Sequence, residues 1–242
     1  MIGIFDSGIG GATVLKEIIR LLPNYKYIYY SDSINNPYGE KSDEELYAIV
    51  KNIVNYFIER KCRIIVIACN TASAKCVKRL REEYNDIIFI ATEPAYKMVH
   101  DYNFNGKTIV MATKGTIESE KFLALYHKYD NHKTILKPCI GLAELIEQNK
   151  QEEIDKYLKE KLSGYKDIEN VVLGCTHYPL IKDNIKKVLG NVNFFDGSIG
   201  IANELKRKAE DLRIEKIRDL EIEFIDSSSN ELKKKRFYEV IK

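Results

Sequence analysis

Tryptophan is absent from this 242-residue chain, cysteine and proline occur five times each, and no apolar run exceeds about six residues. Such short runs exclude a membrane-spanning helix, which needs roughly 20 apolar residues in succession. Nothing at the N-terminus pairs a charged region with an apolar core, so no secretory leader is expected. An odd number of cysteines in that setting points to free thiols in a reducing, cytoplasmic compartment rather than to a disulfide framework. The chain also lacks an excess of either charge. Its 38 basic and 36 acidic residues are interleaved and leave a formal +2, which provides no field to concentrate nucleic acid and favours a small-molecule substrate. The one basic cluster, Lys233 to Arg236, falls in a helical pattern, where a solvated face is the simpler account and no function is assigned. What remains is an ordinary globular composition, 45% hydrophobic and 31% charged, with length enough for two modest α/β domains.

Apolar, β-rich runs recur at 2–5, 27–30, 64–68, 87–91, 108–112, 134–136, 171–173, 192–195 and 222–225. Most lack alternation, the mark of strands buried on both faces. Helical patterns fill the intervals. The clearest, 42–60, opens on a Ser42/Glu45 capping box and carries Leu46, Ile49, Val50, Ile53, Val54 and Phe57 on one stripe. Regular alternation of strand and helix predicts parallel α/β sheets.

The chain also repeats itself. Residues 65–74 (IVIACNTASA) parallel 171–180 (VVLGCTHYPL), setting Cys69 in register with Cys175 at an offset of 106. Asp6-Ser7-Gly8 corresponds to Thr113-Lys114-Gly115 at an offset of 107. Two similar parallel-sheet α/β domains related by a pseudo-twofold are expected, with the active site in the cleft between them, at the carboxyl ends of the strands. The expected first domain takes residues 1–92 and 203–242, the second 93–202.

Each repeated cysteine stands where an apolar strand gives way to a helix, in Cys69-Asn70-Thr71 and Cys175-Thr176-His177. Unpaired N–H groups at a helix start lower a thiol pKa from its free value of roughly 8.5 and bind carboxylates. One such cysteine would be a small hydrophobe; two at matching positions point to chemistry. Cys62, Cys76 and Cys139 lack repeat partners and read as packing residues. Asp6 ends the first strand, where a turn or N-cap residue and a desolvated carboxylate of raised pKa are equally good accounts. His177 alone among the four histidines is placed for proton transfer. Asp32 and the loop Asn36-Pro37-Tyr38-Gly39 follow the second strand and can line the same cleft.

Two other chemistries and a binding role fit the same residues less well. Gly8-Ile9-Gly10-Gly11 after a strand suggests a dinucleotide fingerprint, yet the pattern needs glycine or a near substitute where Thr13 stands. Cys69, Cys175 and His177 have the ligand types of a zinc site but no C-x-x-C pair. A binding module without turnover would not require two opposed thiols.

With Asp6-Ser7-Gly8, Asn36-Pro37-Tyr38-Gly39, Ala68-Cys69-Asn70-Thr71-Ala72-Ser73, Glu93-Pro94, Ala112-Thr113-Lys114-Gly115-Thr116 and Leu173-Gly174-Cys175-Thr176-His177-Tyr178-Pro179-Leu180 in that order, the chain resembles the glutamate racemases of the aspartate/glutamate racemase superfamily over nearly its whole length. The resemblance implies an isomerase that uses neither pyridoxal phosphate nor metal. One cysteine thiolate removes the α-proton, and the other thiol protonates the opposite face. By the same resemblance Cys69 is the base for D-glutamate and Cys175 the base for L-glutamate, assisted by Asp6 and His177 respectively. Ser7, Pro37, Tyr38, Gly39, Asn70, Thr71, Thr116 and Thr176 would bind substrate, with Asp32 and Glu147 as further acids. Near Glu147, Pro138-Cys139 inverts the family's usual Cys-Pro. The family also implies a homodimer and provision of D-glutamate for peptidoglycan, hence cell-wall biogenesis and cell shape. Aspartate racemase is the nearest alternative, and a non-catalytic amino-acid binding module the next.

Overall fold

A computed structural model describes residues 1–103 and 105–242. Among these, nine strands form: β1 (Ile2–Asp6), β2 (Lys26–Ser31), β3 (Ile64–Ile67), β4 (Ile88–Ala91), β5 (Thr108–Ala112), β6 (Thr134–Pro138), β7 (Asn170–Gly174), β8 (Asn193–Phe195) and β9 (Glu221–Asp226). All nine coincide with the apolar runs of the sequence, within a few residues at each end. The strands pair in parallel throughout, in two sheets ordered β4-β3-β1-β2-β9 and β8-β7-β5-β6. Set β9 aside and the two orders are the same, with β1, β2, β3 and β4 answering to β5, β6, β7 and β8. The repeat seen in the sequence is thus a repeat of topology.

Helices in the first sheet's neighbourhood are α1 (Ala12–Leu21), α2 (Asp43–Glu59) and α3 (Asn70–Glu83); α4 (Tyr96–Asn103), α5 (Lys114–Ile117), α6 (Glu120–Tyr129), α7 (Leu142–Glu147), α8 (Gln151–Leu162) and α9 (Lys182–Leu189) follow through the second. The chain then returns with α10 (Ser198–Asp211) and α11 (Glu231–Ile241). The central strands β1, β3, β5 and β7 are buried along their full length, because helices cover both faces of each sheet. One face of the first sheet packs against α1, α10 and Phe237 of α11, and the other against α2 and α3. Phe237 stacks on Phe224 of β9 at 4.3 Å and meets the Tyr29 ring of β2 at a tilt, 4.7 Å between centroids, which fixes α11 to the first sheet. In the second sheet α7, α8 and α9 cover one face, and α4 and α6 the other.

At α2 the Ser42 hydroxyl accepts from the Glu45 N–H at 3.3 Å, one arm of the expected box. The Glu45 carboxylate pairs instead with Lys41 at 2.7 Å. Among the described residues no helix is long and apolar enough to cross a membrane. Parallel strands bring all their carboxyl ends to one rim, and the two rims touch: Thr176, past β7, hydrogen-bonds to Asp6 at the end of β1.

Candidate active site

Cys69 is the N-cap residue of α3, two positions past β3, and Cys175 is the first residue past β7. The equivalent strand ends face each other, so both thiols line one cavity of about 580 Å³, counting the space that opens to solvent. Ser7, Pro37, Tyr38, Gly39, Asn70, Thr71, Thr176 and His177 line it as well. Asp6, Thr116, Asp32 and Glu147 stand one layer behind, each bonded to a residue of the wall. Asp6 accepts from the Thr176 hydroxyl at 3.1 Å, and the Thr116 hydroxyl lies 3.4 Å from that of Thr71. Asp32 accepts from the Tyr38 hydroxyl at 2.6 Å, and Glu147 Oε2 lies 2.7 Å from His177 Nε2.

Beside Cys175 runs a chain of charged groups. His177 Nδ1 is 3.8 Å from Cys175 Sγ, its Nε2 meets Glu147 Oε2, and Glu147 Oε1 meets Lys233 Nζ at 3.0 Å. Burial opposes the charge of the His177 ring, but Cys175 and Glu147 outweigh it and raise the imidazole pKa well above its ordinary value. Burial likewise pushes the Glu147 carboxyl up, and His177 and Lys233 overcome that and bring it down to about 2. Both shifts favour the same state, an imidazolium against a carboxylate.

Around Cys69 the balance differs. Burial pushes its thiol pKa up and the charge of Asp6 adds to the effect, while the N–H groups of Ala72 and Thr71 pull down without prevailing. The sequence-level expectation that a helix start lowers this thiol is therefore overturned at Cys69: desolvation exceeds the helix term. Asp6 is fully buried, and burial raises its carboxyl pKa against the opposing pull of His177, the Gly11 N–H at 2.8 Å and Thr176. The turn account and the desolvated account apply at once, since its carboxylate accepts the Gly11 N–H in the turn before α1 and is fully buried.

Over residues 2–204 the chain matches the family model of Asp/Glu/Hydantoin racemase. It is 44% identical over 220 residues to the glutamate racemase of Clostridium perfringens, spanning 88% of this chain and 85% of that one. The chain belongs to the glutamate racemase family. It is an enzyme of the isomerase class. The glutamate racemase of Francisella tularensis, solved in complex with D-glutamate, matches with a TM-score of 0.82 and 31% identity over 99% of this chain and 92% of its own. That of Escherichia coli, solved with L-glutamate and the activator UDP-MurNAc-ala, matches at 0.81 and 29% over 98% and 94%.

In this racemase the glycine run after β1 answers to close packing across the cleft. A Cβ on Gly8 would stand 2.5 Å from Glu147 Oε2, and one on Gly10 would stand 2.4 Å from His177 Nδ1. Only glycine lets the first half approach the charged side chains of the second, which accounts for the motif without a pyrophosphate. Among the described residues no three His, Cys, Asp or Glu side chains are grouped to hold a metal ion. His177 turns one ring nitrogen to Cys175 and the other to Glu147.

Several wall residues escaped the sequence. Thr113 and Lys114 line the cavity, and the Thr113 hydroxyl bonds to Thr71 at 2.9 Å; their register with Asp6 and Ser7 was the available signal. Cys139, which reads in the sequence as a packing residue, is buried but also lines the cavity. The basic cluster to which no function was assigned supplies Lys233 to Glu147, and Arg236 Nη1 donates to the Glu147 carbonyl at 2.7 Å. A lysine run carries no mark of which lysine is folded inward.

Proposed function

We propose that this chain interconverts L- and D-glutamate without a cofactor, by proton transfer between Cys69, Cys175 and the substrate α-carbon. One observation carries the proposal: two thiols past equivalent strand ends line one cavity from opposite halves. Glutamate of either hand in the Francisella tularensis and Escherichia coli relatives supports the choice of substrate.

From L-glutamate, the Cys175 thiolate takes the α-proton and the Cys69 thiol delivers its own proton to the other face. The His177 imidazolium stands 3.8 Å from Cys175 Sγ, and a Cys69 thiol of raised pKa holds the proton that it is to deliver. In the opposite direction Cys69 must first lose its proton, for which Asp6, a neighbouring buried carboxylate whose pKa desolvation raises, is the suited acceptor. An amino-acid α-proton is a very weak acid, so the carbanion needs the substrate ammonium and the N–H groups opening α3 aimed at its carboxylate. Ser7, Pro37, Tyr38, Gly39, Asn70, Thr71, Thr116 and Thr176 make up the substrate-binding shell of this proposal, with Asp32 and Glu147 behind it. The proposal extends to a cytoplasmic homodimer whose halves, 1–92 with 203–242 and 93–202, flank the site, and to provision of D-glutamate for peptidoglycan.

Incubation with L-glutamate, and separately L-aspartate, in deuterated water without cofactor tests the reaction. Inversion of glutamate with α-deuterium in the product is expected, and both Cys69→Ala and Cys175→Ala should lose it by about a thousandfold or more. Turnover of aspartate instead would move the substrate assignment, and absence of exchange with either would leave a binding module.

A further inference from the structure

We infer that Lys233 of α11 is a positioning residue for proton transfer at Cys175, holding the Glu147 carboxylate so that its second oxygen stays on His177. The inference rests on the acid/base role proposed above for Cys175.

The two oxygens of Glu147 have divided duties. Oε1 faces Lys233 at 3.0 Å, while Oε2 takes His177 Nε2 at 2.7 Å and the Ile9 N–H at 3.1 Å. One helical turn beyond Lys233, Arg236 donates to the carbonyl of the same Glu147, the last residue of α7, where a cation also complements the helix dipole. Side chain and main chain of one residue are thus gripped from α11, itself anchored to the first sheet through Phe237.

Lys233 is not an ordinary surface lysine. Its side chain is 21% exposed and that of Glu147 4%, whereas neighbouring Lys234 is 50% exposed and reaches only Glu231, at 3.9 Å. A buried carboxylate deprived of one cation is costly and seeks another partner. The open groove beside it, lined by Asn149, Asn230 and Lys235, offers water as that partner. A carboxylate turned towards the groove leaves His177 Nε2 without its acceptor, and the ring loses the orientation that aims Nδ1 at Cys175.

Full-length Lys233→Met, Lys233→Gln, Lys233→Arg and Lys234→Met proteins test this. With glutamate, Lys233→Met is expected to lower kcat about tenfold or more, within the roughly hundredfold that a full misplacement of about 1 Å can cost. KM should stay within about twofold, Lys233→Gln should fall between, Lys233→Arg should recover most of the rate, and Lys234→Met should match the parent. L- and D-glutamate are equal in free energy, so kcat/KM must fall equally from both sides; a split between them would signal a faulty assay. Imidazole ¹⁵N and ¹H spectra give a readout that needs no turnover. The His177 Nε2–H resonance, displaced downfield by Glu147, should move upfield in Lys233→Met and stay in Lys233→Arg. If the parent racemises glutamate and Lys233→Met leaves both kcat and this resonance unchanged, the inference is overturned. A rate loss with an unmoved resonance and no recovery by arginine also overturns it. A parent that does not racemise glutamate refutes the proposed function, and the resonance alone then decides whether Lys233 orients the pair.

Discussion

The two halves share a four-strand order yet surround their thiols differently. Past β6 the second half runs through Cys139 into α7 and ends on Glu147, a carboxylate held between His177 and Lys233. Past β2, the equivalent segment of the first half leads from Asp32 into a loop whose Tyr38 hydroxyl is spent on Asp32. Cys175 therefore has an imidazolium beside it, while Cys69 has a helix start and the desolvated Asp6, whose bonds come from the neutral Gly11 N–H and Thr176 hydroxyl. Duplication explains where the thiols stand. Their unlike electrostatics come from what followed each repeated strand, and they suit the proposed reaction, which asks different things of the two sides.

The sharpest way to break this comparison uses corresponding glycines. Gly10→Ala drives a methyl group against the His177 ring and Gly8→Ala one against Glu147, so either should lower kcat on the order of a hundredfold. Gly115, the counterpart of Gly8, would bring its Cβ to 3.0 Å from the Gly39 carbonyl and 3.2 Å from the end of Lys75. Its alanine variant should cost severalfold at most. Steady-state kinetics on the three proteins decide the matter, and equal losses in Gly8→Ala and Gly115→Ala would erase the asymmetry.

Next in size is Glu147→Gln. Glu147 raises the His177 pKa, so its neutral replacement lowers that pKa, and the alkaline limb of the kcat profile should move to lower pH. A rate loss of about tenfold or more at neutral pH accompanies it. The same pair makes a stability prediction. Glu147 is depressed, so its contribution is present above the ordinary carboxylate value of about 4.3 and is lost as pH falls towards its folded value. His177 is raised, so its contribution is complete below about pH 6.5 and is lost as pH rises through its folded value. The difference in Tm between parent and Glu147→Gln should be greatest between those two limits and shrink on either side.

Much of this arrangement could be read in the sequence because buried parallel strands are written as unbroken apolar runs. Isoleucine and valine at 64–67 and 171–172 announce β3 and β7, and the matched cysteines after them announce the cleft. Side-chain protonation was less legible. A helix start is a local feature, but the desolvation that prevails at Cys69 depends on what the other half lays over it. Glu147 was reached through family resemblance alone, since no local pattern ties it to His177, 30 positions away. Lys233 was discounted for the same reason: α11 shows a run of basic residues, and only its docking through Phe237 decides which of them turns inward.

The smallest effect belongs to the first half's own device. Tyr38 is buried, and its hydroxyl donates to an Asp32 carboxylate that also receives Asn35 Nδ2 at 3.0 Å. Tyr38→Phe removes one charged hydrogen bond of two or three, a loss of about 1.5–3 kcal/mol or less, which lowers Tm by several degrees in a chain of this size. Asp32 stays paired through Asn35, so the loop should loosen rather than collapse. Because the loop lines the cavity without carrying a proton, KM for glutamate should rise a few fold and kcat should hold. A fall in kcat matching that of Glu147→Gln would mean that the segment after β2 serves proton transfer as the segment after β6 does, and the two halves would then differ in their residues but not in their roles.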